Sequence, residues 1–248
     1  MYNKKLFLFL FLLPGPIFLL AQGVEYELAS AKNIIKLNLP ALALKNISLQ
    51  YERAIAKKIT IAGSFRFMPK GGPPANIGLA ISLNRDREIK NLKVSNVAFM
   101  PEVRYYFGKK GALRGFYVGL FANIAKYNGD FLLEYEDAGV IGKIETIQMS
   151  GSVTGITGGL MIGAQFKLCK KLYLDWWILG PNYGSSNGKV SGQKIMNASE
   201  QQSLTDKLAE IDVPITNFTY EVNGIGAAMN FKGHLSGLRP GICIGFRF

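Results

Sequence analysis

The chain ends in Leu238-Arg-Pro-Gly-Ile-Cys-Ile-Gly-Phe-Arg-Phe248, and this stretch decides the fold class. Four large apolar residues share one face of an extended strand there, and arginine, glycine and cysteine share the other; the apolar set is Ile242, Ile244, Phe246 and Phe248. In lipid every backbone N–H and C=O must be paired internally, so a sheet that crosses a membrane closes on itself, with apolar side chains outside and polar or small ones inside. The alternation therefore predicts a strand of a membrane barrel.

The amino terminus indicates export. Residues 1–21 combine a basic start, an apolar run and the small residue Ala21 at the expected cut, which is typical of a secretory signal peptide. A single spanning helix is the alternative, but Pro14-Gly-Pro16 interrupts a run that is already short for a span. We therefore expect a signal peptide over 1–21 and one outer-membrane β-barrel domain over 22–248.

Alternation of apolar and polar residues predicts seven further strands, each long enough to cross a bilayer when tilted, which takes about 9–11 residues. They are Asn33–Leu44, Asn46–Ala56, Ile59–Met68, Asn96–Phe107, Phe116–Tyr127, Thr154–Leu168 and Leu172–Tyr183. Pro101 lacks a ladder donor, so we expect a distortion in the fourth of them. The prediction is an all-β fold, an eight-stranded antiparallel up-and-down transmembrane β-barrel. A soluble β-sandwich has the same period and is the alternative.

The lengths of the connections predict the orientation. The second, fourth and sixth connections are short and the third, fifth and seventh are long, which places both termini in the periplasm and the long loops outside. The last long loop carries a helix signal, because Ser199–Gln202 matches a capping box and Leu204, Leu208 and Ile211 share one helical face. A helix over 199–211 would act as a lid or as a docking element, and the sequence favours neither.

Charged residues of both signs fall on the inward face of the predicted strands. They are Glu52, Arg66, Glu102, Arg104, Asp175, Arg239 and Arg247. The interior of an eight-stranded barrel is only just wide enough for its own side chains, and an unpaired charge there is costly. We therefore predict a paired charge network that fills the lumen. A narrow path for ions or small solutes is the alternative.

The net charge of +12 invites a nucleic-acid interpretation, but the basic residues do not gather on one face, so we expect no nucleic-acid partner. The second long loop is acidic and would either be solvated or hold divalent cations between lipopolysaccharide phosphates. Cys169 and Cys243 are expected to be free thiols. A single histidine gives a zinc site little support, and Gly184–Lys189 lacks the spacing of a phosphate loop. No metal and no cofactor are predicted.

Three blocks of the chain resemble a known family. They are Lys32-Asn33 through Asn46-Ile-Ser-Leu-Gln-Tyr-Glu52, then Pro101-Glu-Val-Arg-Tyr-Tyr-Phe107, then Gly115-Phe-Tyr-Val-Gly-Leu-Phe121 with Lys126-Tyr-Asn128. They look like an uncharacterised group of outer-membrane β-barrels of Gram-negative bacteria, of the Bacteroidota type, defined as a domain of unknown function. The terminal strand also resembles the signal that the barrel-assembly machinery reads during insertion. The resemblance implies fold and location and adds no catalytic residues.

One enzyme hypothesis stands as an alternative. His234 and Ser236 face the same side of an extended segment, which resembles the His-x-Ser element of outer-membrane lipid A deacylases. In such a site histidine would activate serine against an acyl ester, and Glu221 would orient the imidazole. Gly237 and Leu238 replace the asparagine and alanine that follow serine in that family.

The sequence thus predicts a barrel with a structural, binding or accessory role and no catalytic activity. Its expected partners are outer-membrane lipid and lipopolysaccharide, the assembly machinery during insertion, and a larger outer-membrane protein complex.

Overall fold

The computed structural model describes residues 31–74, 89–137, 139–140, 142–210 and 216–248. The predicted signal peptide and Ile211 lie outside this part. The strands are β1 (Asn33–Asn38), β2 (Ile47–Ala54), β3 (Ile59–Gly71), β4 (Ile89–Tyr106), β5 (Gly115–Glu136), β6 (Ile144–Lys167), β7 (Leu172–Leu179), β8 (Pro181–Gln193), β9 (Thr216–Asn223), β10 (Gly226–Leu238) and β11 (Gly241–Arg247), and the helices are α1 (Leu39–Ala43) and α2 (Ala198–Ala209). Neither helix is long and apolar enough to cross a membrane.

Eight strands close into a ring. β1 to β7 pair in chain order, β7 pairs with β11, and β11 pairs with β1, all antiparallel. The end of the chain is fixed by the first strand, since the backbones of Asn33 and Phe248 exchange two hydrogen bonds. The predicted all-β, antiparallel architecture is therefore confirmed. We call the end of the ring that holds both of these residues the turn end, and the opposite end the far end.

Outside the ring, large apolar side chains are exposed. We call this surface the apolar belt; it includes Ile47, Leu49, Ile61, Phe65, Phe67, Val97, Phe99, Val103, Phe116, Leu120, Ile124, Ile156, Leu160, Ile162, Phe166, Trp176, Leu179, Ile242 and Phe246. Period-two alternation places their neighbours in the sequence inside the ring, where the side chains are buried. The ring thus exposes apolar side chains that a soluble sheet protein would bury, while its interior holds charged side chains together with an aromatic cluster that includes Tyr106, Tyr117 and Trp177.

Beyond the belt the polarity changes sides. The far parts of β5 and β6 continue as a sheet with β8, β10 and β9, and α2 packs against β5 and β9; we call this part the far segment. Its buried core is apolar, formed by Leu133, Tyr135, Ile147, Met149, Val190, Met196, Leu204, Leu208, Ala227 and Met229. The far segment thus has the interior of an ordinary water-soluble domain, joined by continuous strands to a ring with the opposite arrangement.

Several predicted elements need correction. The first strand ends at Asn38, because the Asn38 side chain caps α1 and Pro40 fits the first helical turn. The strand with Pro101 keeps its register there. Its irregularities lie between Lys90 and Lys93, and opposite the stretch from Met68 to Gly71 of β3. The last long loop is largely strand, since it contains most of β8 and all of β9 and β10.

The helix in that loop starts earlier than predicted. α2 is capped by Asn197, whose side chain accepts from the Glu200 backbone N–H, and the Glu200 carboxylate accepts from the Asn197 backbone N–H. The capping box therefore begins at Asn197 and not at Ser199. Leu204 and Leu208 are buried, as their shared face predicts.

Candidate functional site

Six charged side chains meet inside the ring, and we call them the lumen network. They are Lys36 of β1, Glu52 of β2, Glu102 and Arg104 of β4, Asp175 of β7, and Arg239 between β10 and β11. Each is at most 9% exposed. Five of them come together because each lies on the inward face of its strand, and Arg239 reaches them from the connection between β10 and β11.

Lys36 is central to the lumen network. Its Nζ donates to Asp175 Oδ2 at 2.5 Å and to Gln165 Oε1 at 2.7 Å, and it also pairs with Glu52. All three donor positions of the ammonium group thus have acceptors. A buried ammonium needs this, because an unmatched one would carry the full cost of desolvation.

Arg104 links the two sides of the lumen network. Its Nε donates to Glu102 Oε1 at 2.6 Å, its Nη1 to Asp175 Oδ2 at 2.7 Å, and its Nη2 to Gln50 Oε1 at 3.0 Å. The guanidinium also lies 4.4 Å from the centre of the Tyr117 ring. The planar fork of arginine suits this site, because it presents donors in several fixed directions.

Arg239 closes the network toward the far end. Its guanidinium lies between two rings, 4.3 Å from Trp177 and 4.8 Å from Phe121. Nη1 donates to Glu102 at 2.8 Å and Nη2 to Ser64 at 3.3 Å. The three cations and three carboxylates of the lumen network balance, so the interior carries no net charge at this level.

A buried part of the connection between β4 and β5 closes the turn end of the ring. Leu113, in the connection between β4 and β5, is fully buried against Ile34 and Tyr173. Its carbonyl accepts from Gln165 Nε2 at 2.8 Å. Its φ of 69° lies in the left-handed region, which turns the chain back into the ring. Together with the lumen network, this connection occupies the interior from the turn end to the level of Arg239.

The structure brings together five of the seven residues that the sequence placed in a lumen charge network. Arg66 lies at the far end, where it donates to Asn96 at 2.9 Å and to Tyr127 at 3.3 Å. Arg247 lies at the turn end, with Tyr173 and the Ala31 carbonyl as acceptors. Lys36 was missed, although its alternation with Ile35 and Leu37 already put it on the inward face.

The terminal strand presents its apolar residues as the sequence predicts. Ile242, Phe246 and Phe248 are exposed on the outer face of the ring, and Ile244 is half-buried there. Both thiols are free, as predicted: Cys243 faces inward and is buried, and Cys169 is exposed. The proposed role of this strand in assembly concerns another protein and stays a prediction.

The three residues of the enzyme hypothesis are not assembled into a site. His234 stacks on Tyr183, with the ring centres 5.4 Å apart, and within the described part of the chain no hydrogen bond joins His234 to Ser236. Glu221 pairs with Ala228, six residues along β10 from His234, which is roughly 20 Å at about 3.4 Å per residue. Glu221 is therefore too far away to orient the imidazole.

A cluster of carboxylates lies beside the acidic connection between β5 and β6. Asp137 of this connection, Glu145 of β6 and Glu200 of α2 have oxygens within 4.8 Å of one another. Two lysines already occupy the cluster, since Glu145 accepts from both Lys143 and Lys194 at 2.6 Å. A cation would have to displace these ammonium groups, so the arrangement is one of ion pairs.

These ion pairs shift the titration of the groups. The Lys143 ammonium, followed by that of Lys194, lowers the pKa of Glu145. A hydrogen bond from the Gly139 backbone N–H lowers the pKa of Asp137. Burial opposes the charged form of Lys194, but hydrogen bonds to Glu145 and Tyr135 outweigh it and raise its pKa.

A family model described as a protein of unknown function (DUF3575) matches residues 9–187. The match spans β1 to β7 and enters β8. No curated protein and no solved structure matches the chain significantly.

Proposed function

The chain belongs to the DUF3575 family of proteins of unknown function, and we propose that this member is an integral outer-membrane β-barrel with a closed lumen. On this proposal it acts by binding or structural support, without catalysis, and it presents the far segment outside the bilayer. Both termini of the mature chain face the periplasm.

The change in polarity along the outward face of β5 is the observation that carries the proposal. The outward residues from Phe116 to Ile124 are all apolar, and the outward residues from Lys126 onward are mainly polar. The inward face stays buried over the same length, from Tyr117 to Leu133 and Tyr135. A strand with a single environment needs no such change on its outward face, whereas a strand that leaves lipid for water does.

The height of the apolar belt fits a bilayer. Ten residue steps from Val97 to Phe107 cover about 34 Å at about 3.4 Å per residue. At the tilt of about 40° usual for closed sheets, this is about 26 Å along the axis. Outer-membrane barrels carry an apolar band of about 25 Å. An exposed belt of this size in water would far exceed the apolar patches of soluble monomers.

The packed interior favours a structural or binding role over transport. The lumen network and the buried Leu113 connection occupy the space through which a solute would pass. Conduction would require the ion pairs to separate, and an isolated buried charge is costly. The far segment, with its own apolar core and the capped helix α2, offers the surface for a ligand or a larger outer-membrane complex.

Membrane fractionation tests the proposal. The protein should remain with outer membranes after carbonate washing and require detergent for extraction. Unheated samples should migrate differently from boiled samples on a denaturing gel, as closed membrane barrels do. Purified protein that stays in solution without detergent would refute the proposed location.

Planar bilayers test the closed lumen separately. We expect no channel activity from the purified protein under conditions in which a porin control conducts. Reproducible conductance that scales with the amount of protein would refute the closed lumen and support the narrow path.

A further inference from the structure

A cavity of about 460 Å³ lies at the far end of the ring, and we call it the mouth cavity. Arg239 lines it, and so do Arg66, Asn123 and Tyr127. Its volume is within the range of small-molecule sites, about 300–1,000 Å³. We propose that the mouth cavity binds a small sugar acid, with Arg66 and Arg239 holding its carboxylate. The inference goes beyond the proposed function, because binding here does not depend on lipid.

Two residues that line the mouth cavity carry unpaired polar atoms, which indicates that the cavity is built for a ligand. Within the described part of the chain, Arg239 Nε and Asn123 Oδ1 are buried and have no hydrogen-bond partner. Buried polar groups are nearly always hydrogen-bonded, so these two atoms call for an explanation.

The charge of the lining residues favours an anionic ligand. The lumen network below is balanced, whereas Arg66 contacts the neutral groups of Asn96 and Tyr127 and, among the described residues, forms no ion pair. Among the described residues, no carboxylate lines the mouth cavity. An anionic group would therefore give Arg66 a charged partner and lie beside the Arg239 guanidinium. A zwitterionic amino acid fits less well, because its ammonium group would meet no carboxylate among these lining residues.

The remaining wall is part apolar, with Leu44, Met100 and Leu238 among its residues, and part polar. Its polar part consists of side-chain amides and hydroxyls, from Asn46, Asn182, Ser48 and Ser236, which suit the hydroxyl groups of a ligand. Asn123 Oδ1 needs a donor, which a sugar hydroxyl supplies while also accepting from neighbouring amides. An anionic sugar satisfies both the donor and the acceptor positions, which a simple inorganic anion does not.

Calorimetry and saturation-transfer NMR with the full-length protein test the inference, with glucuronate as the probe and glucose as its neutral counterpart. We expect saturable binding of glucuronate and at least about ten-fold weaker binding of glucose, which lacks the charge-assisted contacts. Absence of saturable glucuronate binding, or equal binding of the two sugars, would overturn the inference.

Two variants separate the site from a general charge effect. Arg66→Met should weaken glucuronate binding by about ten-fold. Lys126→Met removes the same charge from an exposed position outside the ring and should leave binding unchanged. Arg66 lies outside the lumen network, so its replacement should not prevent folding. Equal loss in both variants, or no loss in Arg66→Met, would overturn the site.

Lipopolysaccharide identifies the source of the sugar acid. Its competition with glucuronate in the same detergent would support a lipid-borne sugar acid as the ligand of the mouth cavity, and retained glucuronate binding in its presence would support a free one. These titrations require only folded protein. If the protein did not fractionate with outer membranes, the proposed location would fail but the binding results would still test the mouth cavity. If glucuronate did not bind, the mouth-cavity proposal would fail but the proposed barrel would stand.

Discussion

Lys36 and Asp175 stand 139 positions apart in the sequence, yet their side chains form a 2.5 Å ion pair in the middle of the ring. Each side chain is only 1% exposed. The pair joins β1 to β7, which are not hydrogen-bonded to each other because β11 lies between them. The lumen network therefore ties strands that are not neighbours, in addition to the ladder that ties neighbouring strands.

Lys36→Met should destabilise the folded ring by about 3–5 kcal/mol, because it leaves Glu52 and Asp175 buried with one cation fewer. Urea unfolding in lipid vesicles, followed by the gel shift between unheated and boiled samples, measures the loss. Lys126→Met removes an exposed lysine and should change the free energy of unfolding by no more than about 0.5 kcal/mol.

The double variant Lys36→Met/Glu52→Gln separates charge balance from lost contacts. It removes one charge of each sign, so it should be more stable than Lys36→Met alone. The contrary outcome is a double variant whose loss of stability equals the sum of the losses in Lys36→Met and Glu52→Gln. It would mean that the equality of positive and negative charges does not stabilise the lumen network.

Leu120→Arg should cost about 2–4 kcal/mol of folding free energy in lipid bilayers, because Leu120 lies midway along the apolar belt and is 66% exposed. Ser150→Arg places the same side chain on the outward face of β6, beyond the belt, and should be nearly neutral. Folding titrations in vesicles compare the two. Equal costs for both substitutions would contradict a membrane boundary between these positions.

The sequence predicted the ring well and the far segment poorly, for physical reasons. Each strand of the ring alternates over most of its length, and this pattern is local, so the eight strands of the ring and most inward charges could be recognised. The partners of Lys36 could not, because Gln165 and Asp175 reach it only through ring closure. Alternation predicts which face of a strand a residue occupies. It does not predict which residues that side chain contacts across the ring.

Glycine explains why the sequence predicts a loop where the structure has most of β8. Gly184 and Gly188 belong to a stretch of small polar residues that normally signals a turn. In the structure a Cβ at Gly184 would collide with the Ile156 carbonyl, and one at Gly188 with the Ser152 carbonyl. β6 and β8 approach so closely that only glycine fits. Tertiary pairing therefore overrides the local preference.

Acid should loosen the connection between β5 and β6. The pKa of Glu145 lies below its ordinary value of 4.5 in the folded state, mainly because of Lys143. Its stabilising effect is therefore complete above about pH 4.5 and is lost as the pH falls through the lowered folded pKa. Hydrogen exchange in this connection, corrected for intrinsic rates, should rise below pH 4.5. Glu145→Gln should remove that part of the pH dependence, and an unchanged profile in this variant would assign the loosening to other groups.

The far segment should unfold without the ring, since its apolar core is separate from the lumen network. Leu204→Ala and Leu208→Ala each empty a fully buried position of α2 and should cost about 2–5 kcal/mol. We expect rapid proteolysis of the far segment in these variants, while the gel shift of the ring persists. Gln202→Ala alters an exposed position of the same helix and should behave like the unaltered protein. Loss of the gel shift together with the far segment would mean that the two parts fold as one cooperative unit, with the continuous strands β5 and β6 transmitting the damage across the boundary.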